Sequence, residues 1–263
     1  MLFGNIAPSP YDLQFSLLGV PIRVHPSFWV ITLLMGVMGS SSAPADAVMW
    51  VVAVFVSIVV HEMGHAIVQR RFGGKPHVVL YSFGGLAFGN GADEAPSKQI
   101  LISLAGPAAG FLLAMLTVAA IAATGRAIVP HADQTQFNAI VQQYRGAQGF
   151  TLPWGTYWFG AFSSPQLSRL VHDLLYVNIW WGILNLMPVY PLDGGQIARQ
   201  LLLYARSPSW GVQASLKLSI GVAAALALWF FMSGAQFAAV LFGMLGYSNY
   251  QTLGAYRNSR GGG

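Results

Sequence analysis

The chain has 263 residues, of which 55% are hydrophobic and only 8% are Asp, Glu, Lys or Arg. A soluble domain carries about 25% charged residues, so this composition argues against a soluble enzyme, a disordered chain or a nucleic-acid binder and points to an integral membrane protein. The net charge of +5 arises from thirteen basic residues spread without a run, which suits orientation in a bilayer better than a nucleic-acid partner.

Cysteine is absent, which removes disulfides, thiolate metal ligands and a cysteine nucleophile. Met1-Leu2-Phe3-Gly4-Asn5 shows no basic stretch leading into an apolar core, so no cleavable signal peptide is expected and the first apolar span serves as the insertion signal. Tyr11 to Val24 alternates in a β-prone pattern broken at Gly19 and Pro21 and reads as short strands. A first span is predicted at about 26–39, then a tight turn through three serines to Pro44, then a second span at about 46–72. His77 to Phe88, with glycines at 84 and 85, again reads as strand or hairpin. Strand backbone cannot face lipid unpaired, so these two strand segments are expected to pair with each other or to lie at the membrane interface.

A third span follows at about 97–124, then a mixed segment from 125 to about 165 expected to be an interfacial loop with a short helix. Further spans are predicted at about 167–187, 212–231 and 235–250, each approaching the ~20 residues that cross ~30 Å of hydrocarbon. The fold expected is an α-helical polytopic membrane protein of about six transmembrane helices in one domain, with short membrane-associated strands near the cytoplasmic face. Basic residues support six spans. With the N-terminus inside, Arg23, Arg70, Arg71, Lys75, Lys98, Arg199, Arg206, Lys217, Arg257 and Arg260 fall on the cytoplasmic side, and only Arg126, Arg145 and Arg169 outside.

The second span carries His61-Glu62-Met63-Gly64-His65. Histidines at i and i+4 share a helical face, so both imidazoles can reach one zinc ion, and the glutamate between them can take a proton from water activated there. H-E-x-x-H is a hydrolase signature. The run from Ala47 to Val60 is apolar apart from Ser57, and ionisable groups at such depth are functional candidates. Reading them as packing histidines would leave Glu62 without a reason.

A catalytic zinc needs a third protein ligand. His25 and His77 flank spans, His131 and His172 belong toward the outer face, and Asp12, Asp46, Asp93, Glu94, Asp133 and Asp173 lie in loops or the outer half. There remains Asp193, in Asn185-Leu186-Met187-Pro188-Val189-Tyr190-Pro191-Leu192-Asp193-Gly194-Gly195, where two prolines break the helix. Local sequence alone divides evenly between a zinc ligand and a cap for the helix GGQIARQLL. Beside HEMGH the ligand reading is preferred. Asn185 has two equal readings, a hydrogen bond to a substrate backbone or oxyanion and an interhelical hydrogen bond.

HEMGH in a membrane helix, followed by NLMPVYPLDGG, resembles the site-2 protease family of intramembrane zinc metalloproteases. LLGVPIRVHPSF, YSFGGLAFG and LAGPAAGFLLA (Leu104 to Ala114) are similar to further stretches of that family, and the likeness spans about Leu18 to Arg199. The resemblance implies His61, His65 and Asp193 as ligands of one Zn2+ per chain, Glu62 as general base, Asn185 assisting catalysis, and Phe83, Gly84 and Gly85 in a strand that pairs with unwound substrate. It implies cleavage of a single-pass membrane protein within the bilayer, in regulated intramembrane proteolysis. It further implies a bacterial or archaeal cell membrane, with both termini and the active site toward the cytoplasm. The family often carries Asn where this chain has Gly110. No PDZ or CBS domain fits the length.

Two other classes compete. A metal carrier would repeat ligands along a path, whereas here they cluster once. A catalytically silent adaptor would tend to lose a member of the His, Glu, His, Asp set, which is complete. Trp154, Trp180 and Trp181 read as interface anchors or packing. Gly106 and Gly110, spaced G-x-x-x-G, read as a close helix contact.

Overall fold

The computed structural model describes residues 7–39, 44–82, 84–90, 95–152 and 154–261. They form two compact units, one from the described residues of 8–92 and 105–183, the other from those of 1–7, 93–104 and 184–263.

The first unit opens with a hairpin, β1 (Leu13–Leu17) and β2 (Val20–Val24). Its two turn residues, Leu18 and Gly19, have φ of 50° and 76°, the left-handed pair that a two-residue hairpin turn requires. In β2 the residues alternate, with Val20, Ile22 and Val24 buried and Pro21 exposed. Helices α1 (Pro26–Gly39) and α2 (Pro44–Arg71) then carry the chain back to β3 (Lys75–Tyr81), which lies parallel to β2 with Ile22 opposite Val78. β4 (Gly84–Asn90) pairs antiparallel with β3, giving the sheet order β1-β2-β3-β4. The two strand segments therefore pair with each other, as their unpaired backbone demanded. Val20, Ile22, Val24, Val78 and Leu80 pack on Phe28 of α1 and on Val54, Ile58, Val59 and Met63 of α2. Arg70, at the end of α2, donates to the Leu18 carbonyl at 2.7 Å and ties the hairpin turn to the helix.

After α3 (Pro96–Ala123) the segment expected to be a loop with a short helix is more ordered than that. The helix is present as α4 (Gln134–Tyr144), capped by Asp133, whose carboxylate accepts from the Gln136 amide at 2.9 Å. Around it β5 (Ile128–Pro130), β6 (Ala147–Leu152) and β7 (Gly155–Gly160) form a second sheet, ordered β5-β7-β6. Alternation explains this: Phe150, Leu152 and Phe159 turn inward onto Ile121 of α3 and Leu175 of α5 (Pro165–Asn185). Trp180 donates its indole N–H to the Thr151 carbonyl at 2.9 Å, while Trp154 stays 65% exposed.

The second unit holds α6 (Asp193–Ala205), α7 (Pro208–Met232) and α8 (Gln236–Gly261). Its core joins Val189, Ala223, Phe230, Phe242 and Leu245. Helices stand at all six positions expected to span. Of these α2, α3 and α7 are long and apolar enough to cross a membrane by length and composition, and α1 is apolar but shorter. α8 continues past the expected end at 250 to Gly261.

Candidate metal centre

α2 presents His61 and His65 one turn apart, both buried, with their Nε2 atoms 3.2 Å from each other. Two nitrogens bound at 2.0–2.1 Å to one tetrahedral zinc lie about 3.3 Å apart, so the pair already has the spacing of two ligands on one ion. Glu62 lies between them in sequence and is equally buried.

Glycines shape the surroundings. A Cβ on Gly64 would fall on the Ala105 carbonyl oxygen, so α2 and α3 approach backbone to backbone. A Cβ on Gly106 would clash with His65 Nε2 and stand 2.8 Å from His61 Nε2. The G-x-x-x-G pair thus divides its work: Gly106 makes room for the imidazoles, and a Cβ on Gly110 would stand 3.5 Å from Asn178 Oδ1 of α5. Asn178 is buried and donates to Ser57 Oγ of α2 at 2.8 Å. Sequence reasoning passed over this clamp, although a lone Asn and Ser in apolar helices were its signal.

β4, an edge of the first sheet, runs along the same side of α2. A Cβ on Gly85 would stand 2.6 Å from Glu62 Cδ and Oε1, and four residues on Gln69 donates to the Gly89 carbonyl at 3.3 Å. Gly84 has φ of 119° and rests on the Trp181 ring. The sequence-predicted strand residues Gly84 and Gly85 are therefore in β4, with Gly85 against Glu62, whereas Phe83 lies outside the described residues. Tyr81, closing β3, has its hydroxyl pKa pushed up to about 12, first by burial and then by the charge of Glu62.

In the second unit Asp193 is the first residue of α6 and is buried. The cap position belongs to Leu192, whose side chain makes no capping hydrogen bond, and Asp193 follows it as the first helical residue. Gly194 and Gly195 are required by contact, because a Cβ on either would strike the backbone of residues 186–190. That non-helical stretch needs partners for its backbone. Ser219 Oγ of α7 accepts from the Tyr190 amide at 2.9 Å, and Asn249 of α8 donates to the Tyr190 carbonyl at 2.6 Å. Neither residue was singled out in the sequence, because its partner at Tyr190 is 29 or 59 positions away in the chain. Asn185 ends α5 and is 8% exposed.

Among the described residues, the first unit offers two buried imidazoles on one face of α2, and the second a buried carboxylate at the start of α6. Imidazole and carboxylate are donor types suited to zinc.

Long apolar helices, one of them carrying two buried imidazoles with a buried glutamate between them, define the class. The chain belongs to peptidase family M50, whose model matches residues 49–228. It is 27% identical over 219 residues to "Zinc metalloprotease MJ0392" of Methanocaldococcus jannaschii, covering 81% of this chain and 51% of that protein. It is 28% identical over 200 residues to "Putative zinc metalloprotease Rip3" of Mycobacterium tuberculosis, covering 70% and 42%. The chain thus spans about half the length of these relatives. In fold it is similar to the solved "Site-2 Protease from Methanocaldococcus jannaschii", with TM-score 0.54 and 22% identity over 92% of this chain and 95% of that one.

Proposed function

We propose that this chain is a zinc-dependent intramembrane endopeptidase that cuts a transmembrane segment of a single-pass membrane protein in regulated intramembrane proteolysis. The observation that carries it is the pair of buried Nε2 atoms 3.2 Å apart on α2 with Glu62 between them. Its family membership and the zinc metalloproteases it resembles support zinc as the ion.

In this reading His61, His65 and Asp193 hold the ion and keep one position open. A zinc ion held there would polarise the scissile carbonyl and lower the pKa of a water at the open position toward neutrality. Glu62 accepts the proton of the attacking water and passes it to the leaving amine. Asn185 donates a hydrogen bond to the developing oxyanion. The free edge of β4 receives the substrate as an added strand, which matters because a peptide bond within a helix is shielded until the helix unwinds. Gly84 and Gly85 begin that edge. Six spans, with both termini and the reaction centre toward the cytoplasm of a prokaryotic cell membrane, complete the reading. Ten of thirteen basic residues falling on one side support it.

The test is cleavage of a co-expressed single-pass substrate together with metal analysis of the purified protein. Glu62→Gln is expected to keep zinc and abolish cleavage, and Asp193→Ala to lose zinc. Cleavage retained by Glu62→Gln overturns the reading.

A further inference from the structure

At the start of α7, far along the chain from the metal ligands of α2, a groove of about 480 Å³ is lined by Ser209, Trp210, Gln213, Ala214 and Lys217. Positions 210, 213, 214 and 217 share one helical face, so the groove is a property of α7 and not of a chance loop. Just before the helix, the Arg206 guanidinium lies over the Trp210 ring, 5.4 Å from its centroid. No described acidic side chain forms an ion pair with Arg206 or Lys217. The chain has only eight acidic residues in all. The face therefore gathers two cations, a hydroxyl and an amide N–H, with no carboxylate.

The same residues sit where a headgroup would meet hydrocarbon. Lys217 is exposed and is the last charge in α7. From Leu218 to Met232 the helix is free of charge for about 22 Å at 1.5 Å per residue. A lysine at that border keeps its stem along apolar surface and its ammonium at the polar boundary. Trp210 is 39% exposed, and an indole so placed favours headgroup depth. At the end of α6, which packs on α7, Leu201 is 56% exposed and Tyr204 82%. Apolar and aromatic surface beside paired cations is wasted on a free anion in water but matches a lipid, whose phosphate and chains arrive together.

We propose that this groove binds the phosphate of an anionic phospholipid headgroup. Arg206 and Lys217 neutralise the phosphate, and Ser209 and Gln213 donate hydrogen bonds to its oxygens. Trp210 supports the glycerol region. The site is independent of the protease reading, because none of its residues belongs to the His61, Glu62, His65 and Asp193 set.

The experiment uses the purified full chain. It is taken from nanodiscs of phosphatidylcholine with added phosphatidylglycerol into neutral detergent, and retained lipid is counted by native mass spectrometry. Phosphatidylglycerol is expected to be retained over phosphatidylcholine. Removing one cation by Arg206→Gln or Lys217→Gln is expected to lower retention about fivefold, and the double variant about 25-fold. Lys217→Arg, which keeps the charge, retains the lipid, and unchanged thermal unfolding of the single variants in lipid-free detergent shows that the fold is intact. Equal retention of both lipids by the wild type, or undiminished phosphatidylglycerol in the single variants, overturns the proposal. Displacement of the lipid by inorganic phosphate alone also overturns it, in favour of a soluble-anion site.

Discussion

Asn249 donates its side-chain amide to the backbone carbonyl of Tyr190, 59 positions earlier in the chain, at 2.6 Å. Through that bond α8 supports the non-helical stretch that leads into Asp193. Removing the donor leaves a buried carbonyl without this partner, at a cost of about 1–3 kcal/mol. Asn249→Ala is therefore expected to lower the thermal midpoint in detergent and to weaken metal retention. Thr252→Ala, which removes only an exposed bond within α8, is the control and should do neither.

Gly106 and Gly110 separate two roles that look identical in sequence. Gly106→Ala drives a methyl group into the imidazoles and is expected to abolish stoichiometric metal. Gly110→Ala meets only an ordinary contact with Asn178, and alanine gains about 1 kcal/mol of helix propensity over glycine. It should keep metal and match or exceed the wild-type midpoint. Metal content by mass spectrometry, with thermal unfolding alongside, checks both.

Gly85→Ala aims at the base and not at the ion. Its methyl displaces the Glu62 carboxylate, so metal should remain while cleavage falls by at least about tenfold, the effect of about 1.4 kcal/mol on the barrier. Loss of metal in this variant would mean that β4 holds the histidines as well.

The Asn178 to Ser57 bond clamps α5 to α2 across apolar surroundings. Interhelical hydrogen bonds in membranes average about 0.6 kcal/mol and reach about 1.7. A double-mutant cycle of Asn178→Ala and Ser57→Ala is expected to return a coupling energy in that range, read from unfolding in detergent.

Outside the spans, Asp12 accepts from the Ser9 amide and from Arg23 at 2.9 Å. Burial pushes its carboxyl pKa upward, but these two hydrogen bonds and the Arg23 charge outweigh it and hold the carboxyl below its ordinary range. A lowered folded-state pKa means that the unfolded chain binds the proton first. The stabilisation is complete above about pH 4, the unfolded value, and is lost as the pH falls through the folded value. The gap in thermal midpoint between wild type and Asp12→Asn should be constant at neutral pH and shrink below about pH 4.

What the sequence determined by itself is local. A period of 3.6 residues places His61 and His65 on one face whatever the rest of the chain does, and alternation with a left-handed Leu18-Gly19 turn makes a hairpin. A long uncharged run makes α2, α3 and α7. Tertiary structure decided what depends on residues far apart meeting. The 125–165 segment became a sheet because Phe150 and Phe159 found Ile121 and Leu175. Gly106 came to lie against the His61 and His65 imidazoles because α3 approaches α2 at Gly64 without side chains between them. Asp193 could equally have been a helix cap on local grounds. Only the folded chain, with Leu192 in the cap position and Ser219 and Asn249 holding Tyr190, turns it from that role. The physical reason is range: dihedral preference and hydrophobic period act over a few residues, whereas close approach and buried hydrogen bonds exist only once distant elements have packed.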